Sequence, residues 1–383
     1  MQITALLQRR RFVRLLSLGM AAAGLAAPAL AHHDADGDGG LRHGKIFTST
    51  NAASGNEVLV YARAAAGPAT LMSRVPTQGL GSGAGLGSQG AVTLSSSGRY
   101  LFVVNARSNT LSTFELGHAG LVLRSVVDSG GLNPTSVAEN DGLVYVLNAG
   151  GSGNVAGFRN QRGMLSPLAD GVRGLSAAGG TAPGQLGFDH DGDVLVVSER
   201  ATNVLSSYPV RRDGSLGARL LTPSAGQTPF GFAVTQRDQL IVSEAQGGAA
   251  GASSVSSYRL GEHPFKGPQL VSGPVPTTQT AACWVAVTPN GRYAYVSNAG
   301  SSSISSYAIG PQGAISLMAA QAGLTGTNAG ALDAAATPDG QQLHVLASRA
   351  LQIVSFKIGH DGALMPLGAV GGLPMGSAGL AAN

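Results

Sequence analysis

The 383-residue chain reads as an all-β propeller of seven four-stranded blades, its ring closed by the C-terminal segment. Three features carry that reading. One local pattern recurs six times: a turn with Gly or Asp, an apolar strand ending in Asn or Ser-Glu, a small polar loop, then a strand ending in Tyr or Phe. The copies follow one another at roughly 45 to 53 residues, and a strand-only repeat of that period is the mark of a propeller. The turns are hairpin chemistry, as in Pro289-Asn290-Gly291 and Pro338-Asp339-Gly340, where Asn-Gly and Asp-Gly accept positive φ at low cost.

From the N-terminus, residues 1–31 read as a twin-arginine export leader. Arg9-Arg10-Arg11-Phe12-Val13-Arg14 precedes an apolar run from Leu15 to Leu30 and a small-x-small site, Ala29-Leu30-Ala31. The run holds Gly19, Gly24 and Pro28 and falls short of the about 20 apolar residues of a spanning helix, so cleavage before His32 is expected over retention as an anchor. The expected destination is the periplasm or exterior of a bacterium. All leader charges are arginines, so their removal takes the net charge from +4 to 0. Nothing in the charge then supports a basic patch for nucleic acid or anionic lipid. Cys283 is the single cysteine, so no internal disulfide can form and sheet packing must supply the stability.

Residues 32–44 read as a flexible linker and 45–383 as the propeller domain. Blade one starts with Lys45 to Asn51, Val58 to Tyr61 and Leu71 to Val75, and lacks an inner strand. Pro374 to Ala382 matches the other inner segments and is expected to lie innermost in blade one, which removes the open sheet edges that invite aggregation. The remaining blades are centred on Gly98–Asn105, Gly142–Asn148, Gly192–Glu199, Asp238–Glu244, Gly291–Asn298 and Gly340–Ala347. Inner strands rich in small residues precede most of them, at Pro134–Ala138, Pro183–Phe188, Pro229–Val234, Cys283–Val287 and Leu332–Ala336. A closed ring leaves no obligatory edge, so a monomer is expected. Gly79–Gly90, Gly171–Pro183 and Gln246–Ser254 read as surface loops.

The block Val287-Thr-Pro-Asn-Gly-Arg-Tyr-Ala-Tyr-Val-Ser-Asn298 followed by Ser303-Ile-Ser-Ser-Tyr307 resembles the lactonase family of seven-bladed propellers. That family includes bacterial 6-phosphogluconolactonases and relatives of muconate-cyclising enzymes, and the resemblance spans residues 45 to 382. It implies a seven-bladed ring and opening of a small lactone. Phosphogluconolactonase members carry Pro-Arg-His at the start of one inner strand. Here the matching segment is Pro229-Phe230-Gly231, and the third positions of the other blades are Ser136, Gln185, Trp284, Asp333 and Ser377, so the histidine has no counterpart.

The loops after each second strand and before each inner strand share one face of a propeller. Repeat position puts Asn105, Arg107, Asn148, Glu199, Arg200, Glu244, Asn298 and Arg349 on that face, with Gln185, Trp284 and Asp333 at inner-strand starts. Lactone hydrolysis needs a base for water and a cation or donor for the oxyanion. Glu199 or Glu244 is the expected base, with Arg200, Arg107 or Arg349 as the cation, because these glutamates replace Asn or Ala of other blades. Asn105, Asn148, Gln185, Trp284, Asn298 and Asp333 are the expected ligand contacts. The competing reading has the glutamates pinning blade tops through neighbouring arginines, and Trp284 filling the channel top.

No cofactor is expected. Asp34-x-Asp36-x-Asp38-Gly39 opens like a calcium loop but has Lys45 where a bidentate Glu is required, and an amino-terminal His32 beside His33 is only a fragment of a copper site. Asp189 to Asp193 reads as turn chemistry. No Gly-x-Ser-x-Gly elbow and no haem-attachment motif occurs. Two function classes remain: an exported lactone hydrolase, or a non-catalytic propeller that binds a protein, glycan or small ligand of the cell envelope.

Overall fold

A computed structural model describes residues 44–261 and 266–383 of the chain. The leader, the Asp34–Asp38 stretch and His32 lie outside the described residues. Seven four-stranded antiparallel sheets form the blades. Blade I holds Lys45–Pro76 with the C-terminal strand, II runs from Val92 to Asp128 and III from Pro134 to Gly174. Blade IV spans Pro183–Pro223, V Pro229–Pro276, VI Ala282–Leu324 and VII Ala331–Gly371. Among the described residues the single helical element is a 3-10 turn at Gln246–Gly248.

The second strand of each blade is sandwiched between its neighbours on both faces, which explains why the sequence shows an apolar run there and not an alternation. Every residue of Tyr100–Asn105, Leu143–Asn148, Val194–Glu199, Gln239–Glu244, Tyr293–Asn298 and Gln342–Ala347 is buried. Outer strands alternate with solvent, as Gly120–Asp128 does. One apolar cluster fills each of the seven blade interfaces; between IV and V, for example, Val194, Val196 and Leu205 meet Phe232, Leu240 and Tyr258. Each such side chain contributes about 1.5–3 kcal/mol on burial.

The ring closes as the sequence implies. Ala378–Ala382 is the innermost strand of blade I and pairs antiparallel with Lys45–Ser49, Ile46 opposite Ala382 and Thr48 opposite Leu380. Thr48 Oγ1 donates to Gly379 O at 2.7 Å, and Asn383 N donates to Lys45 O at 3.0 Å. The turns differ from the expectation in one respect. Gly291 and Gly340 take φ of 66° and 68°, whereas Asn290 and Asp339 stay out of the left-handed region and act through their side chains. Asn290 Oδ1 accepts from Thr288 Oγ1 at 2.7 Å and from Arg292 N at 3.0 Å, a side-chain mimic of a turn.

The segment Gly79–Gly90 also departs from a simple surface loop. Its end, Ser88-Gln89, crosses the ring axis. Gln89 N donates to Gly184 O of blade IV at 3.0 Å, while its side-chain amide pairs both ways with Val285 of blade VI, at 2.8 and 3.0 Å.

Candidate functional site

The expected polar face resolves into buried knots at the blade tops. Asn105 Nδ2 donates to Ser112 Oγ at 2.8 Å, and its Oδ1 accepts from Thr77 Oγ1 at 2.7 Å and Asn56 Nδ2 at 2.9 Å. Asn148 donates to Ser129 O and Asn154 Oδ1, and Asn298 to Ser303 and Ser305. All three asparagines are at most 1% exposed. They tie the loop or third strand of a blade to its second strand, a repeating structural task.

Glu199 and Glu244 occupy the same place with reversed hydrogen-bond polarity. Glu199 accepts from Ser176 N at 3.0 Å, Ser206 Oγ at 2.5 Å, Thr202 Oγ1 at 3.1 Å and also Ser176 Oγ. Glu244 accepts from Gly226 N at 2.9 Å and Ser254 Oγ at 2.5 Å; burial raises its pKa against the pull of these donors. Both glutamates are 0% exposed, and no ion pair with an arginine holds either of them among the described residues. The structure therefore does not bring the expected base to solvent or the expected base and cation together. It replaces the alternative arginine pin by a hydroxyl cradle.

The arginines are spread apart. Arg107 is exposed, Arg349 is exposed with its guanidinium on the carbonyls of Asn328 and Ala299, and Arg200 is half-buried. Arg200 lies 4.7 Å over the Phe230 ring and donates to Ala182 O at 2.9 Å; desolvation lowers its pKa. Trp284 is 4% exposed, packs 5.0 Å from Phe230 and donates through Nε1 to Ser88 O at 3.0 Å. It fills the channel top together with Phe230, Cys283 and Ala245 and offers no stacking face. Burial pushes the Cys283 thiol to about 12, which removes it as a nucleophile.

Two of the expected contacts, Gln185 and Asp333, do meet at one site. Strand register puts Ser136, Gln185 and Trp284 at one level, opposite Leu147, Ser198 and Ser297, and Asp333 lies in the irregular stretch between Ala331 and Ala334 of blade VII. Below this level is a cavity of about 310 Å³, walled by Gln89, Gln185 and Asp333 and by apolar residues such as Val92, Leu186 and Leu380. It runs along the inner strands to their far ends at Leu94, Ala138, Ala336 and Ala382, away from the face the sequence suggested. Asp333 is the one ionisable lining residue and is 3% exposed. Burial pushes its carboxyl up to about 7, opposed by the backbone N–H groups of Gly90 and Gly379. Gln185 Oε1 accepts from Phe232 N at 2.6 Å, so its NH2 is the end left to offer a donor.

Gln89 is the lining residue that sequence reasoning missed. It stands in the register position that Pro134, Pro183 and Pro229 hold in blades III to V, and the short inner strand Val92–Leu94 of blade II hides it within a Gly-rich stretch. Its signal is that it is the one side-chain amide in the run Gly79–Gly90, which holds no charged residue.

No protein-family model matches the sequence, and no curated protein matches it. Solved structures with the same fold do. The periplasmic gluconolactonase PpgL of Pseudomonas aeruginosa is 16% identical, with 88% of this chain and 98% of that one covered at a TM-score of 0.68. A Bacteroides uniformis protein provisionally assigned as a 6-phosphogluconolactonase is 18% identical over 88% and 98% of the two chains, TM-score 0.68. A functionally unknown protein from Desulfotomaculum acetoxidans is 13% identical over 88% and 98%, TM-score 0.65. At these identities the likeness establishes the seven-bladed fold; chemistry has to be argued from the site itself.

Proposed function

We propose that the protein is an exported hydrolase of small lactones and that the reaction takes place in the axial cavity. The observation that carries this reading is Asp333: one buried carboxyl, pushed up to about 7, on the wall of a cavity whose other lining residues carry no charge. Ionised Asp333 takes a proton from water as the water oxygen attacks the lactone carbonyl. The amide NH2 of Gln185 donates to the oxyanion that forms. Collapse of the tetrahedral intermediate breaks the acyl–oxygen bond, and the proton held on Asp333 passes to the departing ring oxygen. The product is the open hydroxy acid, and the enzyme returns unchanged.

Fold relatives with lactonase names, one of them periplasmic, support the substrate class and the export reading, as does the twin-arginine pattern at Arg9 to Arg14. No described helix is long and apolar enough to cross a membrane. In this reading Glu199 and Glu244 hold the blade tops, and Arg107, Arg200 and Arg349 shape the opposite mouth without touching the substrate.

The test is proton release by the purified protein on γ- and δ-lactones across pH 5 to 9. Values of kcat/KM should rise with pH through about 7, because the base must be ionised, and level off above it. No turnover on any lactone would shift the protein to the alternative class, a propeller that binds an envelope ligand without converting it.

A further inference from the structure

The walls of the axial cavity set which lactone it takes. We infer that the substrate is an uncharged lactone, and that the cavity rejects phosphorylated and carboxylated lactones. This rests on the proposal that the cavity is the reaction site.

Among the described residues no Lys, Arg or His lines the cavity, and its single ionisable residue is an acid. The two backbone N–H groups that an anion would seek, those of Gly90 and Gly379, already point at Asp333. Both glycines hold positive φ, 85° and 75°, and a Cβ at Gly379 would lie 2.5 Å from Val92 N, so the backbone packs closely there. An anion entering the cavity would leave water, meet no counter-charge and face Asp333. Volume does not make the choice, since about 310 Å³ lies at the lower end of ordinary ligand pockets and admits a small substituted ring. Desolvation makes it, because an unpaired buried charge costs far more than a buried alkyl group gains or loses.

Hydrolysis then changes the sign of the fit. A neutral ring enters, and the hydroxy acid formed from it ionises at neutral pH. The product is a carboxylate beside Asp333 in a cavity without a cation, and like-charge repulsion expels it. The same walls that select the substrate prevent the product from lingering.

The experiment compares δ-valerolactone, δ-gluconolactone and 6-phosphogluconolactone as substrates of the full protein, with 5-hydroxyvalerate as inhibitor. We expect kcat/KM for the phosphorylated lactone to lie at least about 100-fold below those of both neutral lactones. Inhibition by 5-hydroxyvalerate is expected only at concentrations about 100-fold above the KM of its lactone. In Ala336→Lys, which puts a cation at the open end of the cavity, the gap between phosphorylated and neutral substrates should narrow by about tenfold. Turnover of the phosphorylated lactone equal to or better than that of δ-valerolactone would overturn the specificity inference and leave the hydrolase reading standing. Turnover of none of the three would remove the hydrolase reading itself, and the inference with it.

Discussion

The blade tops and the axial cavity both bury carboxyl groups, but they do so in opposite ways. Glu199 receives hydrogen bonds from a backbone N–H and three hydroxyls, and Glu244 from an N–H and the hydroxyl of Ser254. Asp333 has backbone N–H groups only and a cavity on its open side. Glu199, with four donors, is held in one geometry and has no lone pair to spare for water. A carboxyl with sparse donors keeps its proton affinity near neutrality and can exchange that proton with a guest. Burial alone therefore does not distinguish the two regions; the donor set around the buried group and the cavity beside it do.

The largest effect that separates the two regions is expected at Asp333 itself. Asp333→Asn keeps an acceptor for the Gly90 and Gly379 N–H groups and removes the base, so lactone turnover should fall by about 10³-fold, within the range of general-base losses. The same variant should be more stable than the parent at pH 8. The folded pKa of about 7 lies above the ordinary 3.8, so the stability tied to the protonated acid is full below about 4 and is lost as pH rises through 7. Denaturant titration at pH 8 should show a gain of about 2–4 kcal/mol for the variant, which has nothing to lose. Unchanged turnover in this variant would dissolve the distinction between the two sites.

Glu199→Ala should give the reverse profile. Removing the acceptor orphans the donors of Ser176, Thr202 and Ser206, which should cost about 3–5 kcal/mol of stability while the kcat of the molecules that remain folded stays within about twofold. Thermal melts alongside active-site-normalised rates would check both halves. A loss of kcat in a fully folded Glu199→Ala protein would restore the glutamate as the base.

A further pH effect comes from His344 and runs opposite to that of Asp333. His344 is 1% exposed in the second strand of blade VII, accepts or donates at Nδ1 to Ser355 Oγ at 2.8 Å, and has no partner at Nε2. Burial lowers its pKa to about 4 from 6.5, so its contribution is present above 6.5 and lost as pH falls through 4. The acid limb of the stability curve should carry about 3 kcal/mol from this residue, and His344→Leu should flatten it. The smallest effect is expected at Gln89→Ala, which opens the bridge across the axis to Val285. It should cost about 1–2 kcal/mol and raise KM more than it lowers kcat.

The ring was legible in the sequence because its signals are local and repeated. Apolar runs such as Leu143–Asn148, turn glycines such as Gly291, and the spare strand at Ala378–Ala382 each announce themselves within a few residues. The candidate site was legible only in part. Gln185 and Asp333 were found by repeat position, but their company in a cavity was not, since its walls come from strands as far apart as Val92 and Leu380. Glu199 looked like a mouth residue because a polar strand end reads the same whether it meets water or Ser176, which lies 23 residues upstream. Gln89 escaped because its meaning depends on Val285, 196 residues away across the axis.

The most direct measurement sets the two regions against each other on one substrate: kcat/KM for δ-valerolactone at pH 8 in Asp333→Asn and in Glu199→Gln, each shown to be folded by circular dichroism. The account predicts a loss of about 10³-fold for the first and a change within about threefold for the second. Full activity in Asp333→Asn together with a collapse in Glu199→Gln would contradict it and return the chemistry to the blade tops.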